Sequence, residues 1–508
     1  MLEEMPFEPT DQQIQLTAAL ARFCSAETPS DSVFILNGYA GTGKTSVMGA
    51  LVRSLHRVGV HTMLLASTGR AAKVLSSFTG FPAHTIHRQI YTSGSFNSDG
   101  SPTMAKINHN PHVNTIFIVD EASMIGEGND GGMNLLQDLV MYVYTGQNCK
   151  LILLGDTAQL PPVGSSESPA MSAAAFKAMG LRVTRATITR TVRQKQRSGI
   201  LYNATWLRRA MKQETLPEPQ LTVTPFNDVN VVVPEDMEDE LGKSFAEYGE
   251  DQTIIITRSN RRAVDFNLAV RKQIFDREEV LAKGDRLLIS KNNYYWPNRH
   301  RKLLAEQASR GEGNSVQVGP TPVFDTPRSG VALPDDRPLA DIPPVSNGRV
   351  PYFLANGEVA VVEEILSTEI RDMIEFADVT LWLPDSDSRI NAKIVVDSLT
   401  AETAGLPRDK VETIGRRTLL EADRVYASPS YQREALRNCP YFNALQVKYA
   451  YAVTCHKAQG GQWDSVFVDM GYIPPEAYLS LDFYRWLYTS VTRASRRLSL
   501  LNPTCRII

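Results

Sequence analysis

The stretch VFILNGYAGTGKTS, residues 33–46, leaves this chain few folds to choose from. Its first half is short, apolar and rich in β-branched residues, the pattern of a buried strand. After it, Val47, Leu51, Leu55 and Val58 recur at helical spacing, and Gly59 is placed to stop that helix. A strand, a glycine-rich turn and a helix in that order aim backbone N–H groups and a helix N-terminus at one point, which suits an anion. The residues fit GxxxxGK[ST] through Gly38, Gly43, Lys44 and Thr45, with Thr42 inside the loop and Gly41 letting the chain curl around phosphates. In that geometry Lys44 reaches the β and γ phosphates of a nucleotide and the Thr45 hydroxyl ligates Mg²⁺. A glycine-rich turn with an unpaired surface lysine is the alternative, and it leaves both flanks unexplained.

A length of 508 residues predicts about three to four domains and a large core. The formal net charge is only −3, so no global basic field advertises a nucleic-acid partner, and such a partner needs a local track. The five cysteines are scattered, without a CxxC pair or histidines at zinc spacing. That pattern predicts free thiols in a reducing compartment and argues against a structural metal. The acidic opening MLEEMPFEPTDQQ lacks the apolar core of a secretory signal, and no run of about 18 apolar residues occurs. The expectation is a cytoplasmic protein without a membrane partner.

Strand-like runs alternate with helical patterns from residue 33 to 165, through VFILNG, HTMLLAS, TIFIVDE and CKLILLGD, which marks a parallel α/β sheet. The same character returns in DQTIIITRS, WDSVFVDMG and RRLSLLN, without a second phosphate loop. Between them, GDRLLIS, GEVAVVEEI, DVTLWLP and INAKIVVDS read as short antiparallel strands of a small β module at residues 278–440. Inside it, residues 297–351 carry repeated Pro and Gly and read mostly as a long loop, with RHRKLLAEQASR able to form a short helix. A polar, turn-rich stretch, YTSGSFNSDGSPTMAKINHN, interrupts the first sheet and predicts a hairpin tip at residues 97–100.

IFIVDEASM ends a buried strand on Asp120 and Glu121. The first carboxylate is placed to hold Mg²⁺ through water, and the second to orient or deprotonate an attacking water. LILLGDTAQLPPVG repeats this geometry and offers Gln159, an amide able to sense a γ phosphate and position water; Asp156 alone carries little weight, since Gly-Asp is an ordinary turn.

These segments resemble motifs I, II and III of the superfamily 1 helicases, in the branch that contains RecD and Dda. The remaining motifs follow in order. PTDQQ resembles the Q motif, with Gln13 as adenine reader. LASTGRAAKVLS resembles motif Ia, with Ser67 where the RecD pattern usually has Pro. TIHRQ resembles motif Ib, ITRTVRQ motif IV, YAVTCHKAQGGQW motif V and LYTSVTRAS motif VI.

The resemblance implies an α/β fold of two RecA-like P-loop NTPase domains, a small pin or hairpin insertion and a β-rich, SH3-like insertion. It divides the chain into 1–85 with 111–175, the insertion 86–110, then 176–277 with 441–508, and the module 278–440. It implies ATP and Mg²⁺, with Arg193 and Arg493 crossing the cleft to neutralise the γ phosphate. It also implies single-stranded DNA and junctions as partners, beside other repair or replication proteins. Thr68, Gly69, His87, Thr454, His456 and Lys457 are the expected phosphate contacts, and Phe96 could stack on a base or fold onto its own sheet. His87 and His456 read equally as hydrogen-bonded structural histidines. RSNRR, at residues 258–262, reads as a solvated charge run or as a border of the strand path, and Cys455 as a small packed residue.

The implied function is a DNA motor that unwinds duplex. The open alternatives are a DNA-stimulated ATPase subunit of a repair or recombination complex, a phosphate-loop enzyme acting on a small molecule, and an RNA substrate. Gln159 is followed by LPPVG and not by the stacking aromatic usual in the 3′→5′ branch, so 5′→3′ travel is expected.

Overall fold

The computed structural model describes residues 1–309 and 350–508 except 6, 92–106, 127–133, 163, 191–197, 352, 404, 424 and 426. Phe96, Arg193 and residues 310–349 of the long loop therefore lie outside the described residues. Two compact units are present, one built from residues 1–94, 104–258 and 453–508 and the other chiefly from residues 259–452.

The first unit opens with β1 (Ser32–Gly38), β2 (His61–Ala66), β3 (Ala83–Thr85), β4 (Thr115–Asp120), β5 (Lys150–Gly155) and β6 (Arg182–Ile188). They pair in parallel in the order β3-β2-β4-β5-β1-β6. Successive side chains on a strand point to opposite faces. Val33, Ile35, Phe117, Val119, Leu151 and Leu153 accordingly pack on one face, with Tyr142 and Phe176 from helices. Phe34, Leu36, Ile116, Ile118, Ile152 and Leu154 pack on the other, beneath Leu16, Leu20, Val47 and Leu51. Every residue of β1, β4 and β5 is buried, which is why these strands read as unbroken apolar runs.

The chain continues through β7 (Gln220–Leu221), β8 (Val229–Val232) and β9 (Thr253–Thr257), then leaves for the second unit. There β10 (Arg286–Ile289), β11 (Val359–Arg371), β12 (Ile374–Leu383), β13 (Ser388–Val395) and β14 (Leu445–Tyr449) close into a barrel. Closure leaves no strand edge unpaired. The expected strands supply β10 to β13, and the fifth comes from beyond residue 440, antiparallel to β10 and parallel to β13. RHRKLLAEQAS lies within a helix, Tyr295–Ser309, so the start of the expected loop is helical. Arg271 and Asp285 form a buried bidentate pair, with Nε and Nη2 each 2.9 Å from a carboxylate oxygen.

Returning to the first unit, the chain forms β15 (Ala452–Thr454), β16 (Trp463–Asp469), β17 (Ala494–Leu501) and β18 (Arg506–Ile507). A second sheet results, ordered β15-β9-β16-β17-β8, with β9, β16, β17 and β8 parallel, while β18 pairs with β7. Two parallel sheets with helical crossovers and a small barrel make an α/β protein of RecA-like type with a β-rich insertion. Among the described residues no helix is long and apolar enough to cross a membrane, and all five cysteines are free.

Removing one partner of a buried ion pair strands the other charge, at a cost of about 3–5 kcal/mol. Asp285→Ala is therefore expected to lower the unfolding free energy of the second unit by about that amount in urea titrations. Pairing it with Arg271→Met should recover most of the loss.

Candidate nucleotide and nucleic-acid site

Because β4, β5 and β1 are neighbours and run the same way, the segments that follow them emerge together at one edge of the sheet, where open α/β sheets bind ligands. The loop after β1 needs its glycines. Gly41 and Gly43 have φ of +74° and +80°, and Gly43 caps the Lys44–Arg57 helix from the left-handed region. At Gly38 an added Cβ would lie 2.7 Å from Lys44 Cγ, so only glycine lets the lysine stem fold back over the loop. The Lys44 ammonium donates to the carbonyl oxygens of Gly38 and, at 3.2 Å, of Tyr39.

Gln13 is buried, its Oε1 accepting from the Thr10 N–H at 2.9 Å and its Nε2 donating to the Thr42 carbonyl at 3.0 Å. The expected adenine reader thus braces the phosphate loop against a capped helix in this conformation.

After β4, Asp120 is buried and accepts from the Glu121 N–H at 2.8 Å. Burial raises its carboxyl above the ordinary range, the Glu121 N–H and the Lys44 charge opposing. Burial, and then the Asp120 charge, also raise the Glu121 carboxyl, against the opposing charges of Arg493 and Lys44. Glu121 itself sits at φ +51°, a left-handed backbone that costs a non-glycine residue roughly 1–3 kcal/mol and concentrates at functional positions. Thr45, in the first helical turn, and Asp120 offer hard oxygen donors. Such a pair fits Mg²⁺, which keeps most of its own waters. No group of three or more His, Cys, Asp or Glu among the described residues could cage a metal unaided.

After β5, Asp156 is fully buried and organises the next turn. It accepts from the Ala158 N–H at 3.0 Å, the Tyr488 hydroxyl at 2.9 Å and the Gln159 amide at 3.4 Å. Among the described residues the Gln159 Oε1 is buried without a hydrogen-bond partner, a polar acceptor open to a ligand. The Tyr488 hydroxyl also accepts from the Ala40 N–H at 3.1 Å. One phenol on the Leu481–Val491 helix beside the second sheet thus joins the phosphate loop to the β5 turn of the first. Burial, and then Asp156, hold that phenol well above its ordinary pKa, so it remains a donor. The same helix sends the Thr489 hydroxyl to accept from the Leu160 N–H at 3.0 Å, and Gln459 donates to the Leu160 carbonyl at 3.0 Å.

Arg493 is buried and bonded to neutral oxygens alone: the carbonyls of Thr489 at 3.0 Å and Gly461 at 3.1 Å, and the Thr492 hydroxyl at 3.2 Å. Among the described residues it makes no ion pair, yet its charge acts on Glu121. The site therefore gathers Lys44, Asp120, Glu121, Gln159 and Arg493.

The expected nucleic-acid contacts form a second group. Thr68 caps the Gly69–Thr79 helix, accepting from the Ala71 N–H at 3.2 Å. The Arg70 guanidinium lies 4.4 Å from the Trp463 ring centroid, and a Cβ on Gly460 would meet Ala71 at 3.6 Å. The start of this helix therefore abuts the GGQW segment that follows Thr454, His456 and Lys457. Thr454 precedes a single turn, Cys455–Ala458, without a side-chain capping bond, and His456 is exposed on it. His87 is exposed on the Ile86–Ile90 helix. Among the described residues neither the His87 nor the His456 side chain makes a hydrogen bond, while their backbone carbonyls accept from the Tyr91 N–H at 3.2 Å and the Gln459 N–H at 3.3 Å. Cys455 is buried, its thiol pushed up to about 12 by that burial, which suits packing and not nucleophilic chemistry. The RSNRR run is partly engaged: Arg258 lies 5.8 Å from the ring centroids of Phe483 and Trp486, and Arg262 4.8 Å from that of Phe266.

Two family models match in chain order: an AAA domain over residues 13–218 and a UvrD-like helicase C-terminal domain over residues 449–501. Together they make the chain similar to superfamily 1 helicases of the RecD-like branch. It is 35% identical over 130 residues to the ATP-dependent RecD2 DNA helicase of Deinococcus radiodurans, a match covering 25% of this chain and 16% of that protein. It is 22% identical over 514 residues to the uncharacterized protein R530 of Acanthamoeba polyphaga mimivirus, covering 96% of this chain and 98% of the other. Pif1 from Bacteroides, solved with ADP-AlF3 and ssDNA, shares 13% identity at a TM-score of 0.45, covering 97% of this chain and 92% of that one. Pif1 from Candida albicans shares 15% identity at a TM-score of 0.42, covering 98% and 95%.

Within this site, sequence reasoning missed Tyr488 and undervalued Asp156. Phe483 through Val491 are all buried, so no amphipathic period singles out Tyr488.

In Arg493→Ala, single-turnover hydrolysis is expected to slow by ~10³-fold or more, with nucleotide affinity falling far less. Equal losses in both would recast Arg493 as a ground-state binding residue. Tyr488→Phe keeps the ring and removes both hydrogen bonds, one of them to a carboxylate. It should lower kcat about tenfold without a matching loss in thermal stability, measured by steady-state hydrolysis beside melting curves.

Proposed function

We propose that this chain is an ATP-dependent DNA helicase that travels 5′→3′ on single-stranded DNA and separates duplex ahead of it. The observation that carries the reading is the buried Arg493, charged and, among the described residues, without a carboxylate partner, acting on Glu121 beside the phosphate loop. A guanidinium held only by neutral oxygens is suited to an anion that arrives and leaves, as a γ phosphate does. Arg493 comes from the far sheet, so hydrolysis responds to how the two sheets meet, and this couples chemistry to movement.

In this reading Gly38, Gly41, Thr42, Gly43 and Lys44 hold the triphosphate, and Gln13 turns from Thr42 to the adenine. Thr45 and Asp120 hold Mg²⁺, which supplies charge neutralisation at the phosphates when bound. Glu121 orients the attacking water, Gln159 senses the γ phosphate through its unpartnered oxygen, and Arg193 joins Arg493 as charge develops. Thr68, Gly69, His87, Thr454, His456 and Lys457 grip backbone phosphates, which reads no sequence. The RecD2 relative is named an ATP-dependent DNA helicase, which supports the substrate class.

Direction follows from the LPPVG after Gln159, where two prolines stiffen the turn and no ring is present to stack on a base. The test is a duplex with a single-stranded tail on one end, offered as a 5′ tail and as a 3′ tail with ATP and Mg²⁺. Unwinding is expected from the 5′ tail only. A preference for the 3′ tail would overturn the direction. Stimulated hydrolysis with unwinding from neither tail would identify an ATPase subunit that needs partner proteins.

A further inference from the structure

The residue after each of two paired strands carries this inference. Ala66 pairs with Asp120 in the parallel β2–β4 register, so Ser67 and Glu121 are the first residues past it on either side. There the Ser67 hydroxyl donates to the Glu121 carbonyl at 2.6 Å. The same carbonyl accepts from the Met124 N–H at 3.1 Å, which closes the short Ala122–Met124 turn. Glu121 is thus held in its left-handed conformation by one bond from its own turn and one from the neighbouring strand. On its other side Ser67 adjoins Thr68, whose hydroxyl caps the Gly69–Thr79 helix.

We propose that Ser67 is a positioning residue for Glu121, and that it relays occupancy of the nucleic-acid contact at Thr68 to the carboxylate that orients water. The inference rests on the helicase reading for the roles of Thr68 and Glu121. The RecD-like pattern usually places proline at this position, which has no hydroxyl and no N–H to donate. The link therefore belongs to this chain and not to the motif. A hydroxyl bond to a backbone carbonyl fixes where the Glu121 Cα points without touching its carboxylate. Its loss should therefore degrade the geometry of hydrolysis and leave the phosphate loop intact.

The test compares Ser67→Ala and Ser67→Thr in the full chain. Without DNA, single-turnover ATP hydrolysis by Ser67→Ala is expected to fall about tenfold, with the affinity for a fluorescent ATP analogue within about twofold of wild type. Ser67→Thr, which keeps the hydroxyl, should restore most of the rate. On a Glu121→Gln background, Ser67→Ala should slow hydrolysis less than about twofold further, because the carboxylate it positions is already gone. With an oligothymidylate added, the stimulation factor of Ser67→Ala should shrink at least about threefold while oligonucleotide affinity stays within about twofold. An unchanged rate in Ser67→Ala, an ATP affinity that falls in step with the rate, no rescue by Ser67→Thr, or full additivity with Glu121→Gln would each overturn the proposal. Lack of stimulation by oligothymidylate in the wild-type chain would instead sink the motor reading and with it the relay, while the DNA-free measurements still judge Ser67 as a positioning residue.

Discussion

Three adjacent strands that are buried on both faces and run the same way must all release their chains at one edge. That constraint, set by β4, β5 and β1, decides where everything else in the first unit can act. No water reaches the strand interiors, so polar residues are confined to the positions where the strands stop. Lys44, Asp120, Glu121, Asp156 and Gln159 all stand there. The second sheet then has one useful approach, and Tyr488, Thr489 and Arg493 arrive along it on a single helix and the turn after it.

The electrostatics follow from that crowding. Two carboxylates with raised pKa values, an ammonium and a guanidinium share a desolvated edge. Each positive group rests on neutral oxygens: Lys44 on two loop carbonyls, Arg493 on two carbonyls and a hydroxyl. Such bonds satisfy donors without cancelling charge. In the proposed reading an incoming polyphosphate meets cations that are oriented and not already neutralised, which is the preorganisation that phosphoryl transfer rewards.

What the sequence made legible is what has a local signature. The phosphate loop is contiguous, and two of its glycines, Gly41 and Gly43, have φ values that only a glycine adopts without cost. The ends of β4 and β5 are marked by apolar runs that stop at an acid. What escaped depends on contacts far apart in sequence. The strand Leu445–Tyr449 is five residues long and buried at four of them, so no alternation shows it belongs to a barrel that begins at Arg286. The role of Gln13 was read from its motif, while its amide is engaged by Thr10 and Thr42. Asp156 looked like a turn residue because its partner, Tyr488, lies hundreds of residues away. Ser67 was visible as a departure from a pattern, but its bond to Glu121 exists only once two parallel strands are in register.

The place where the second unit leaves the chain has a consequence for synthesis. The strand Thr253–Thr257 is apolar at its centre, buried at every position, and pairs in its sheet only with β15 and β16. Both of those follow the barrel, so about two hundred residues separate the strand from its first partner. At ribosomal speeds of ~5–20 residues per second, the TIIIT segment waits roughly 10–40 s before it can be covered. Such a segment is a template for pairing with a stray strand of another nascent chain. The inserted barrel thus makes the second sheet dependent on cotranslational shielding, and the yield of folded protein should be set by how quickly the barrel lets the chain come back.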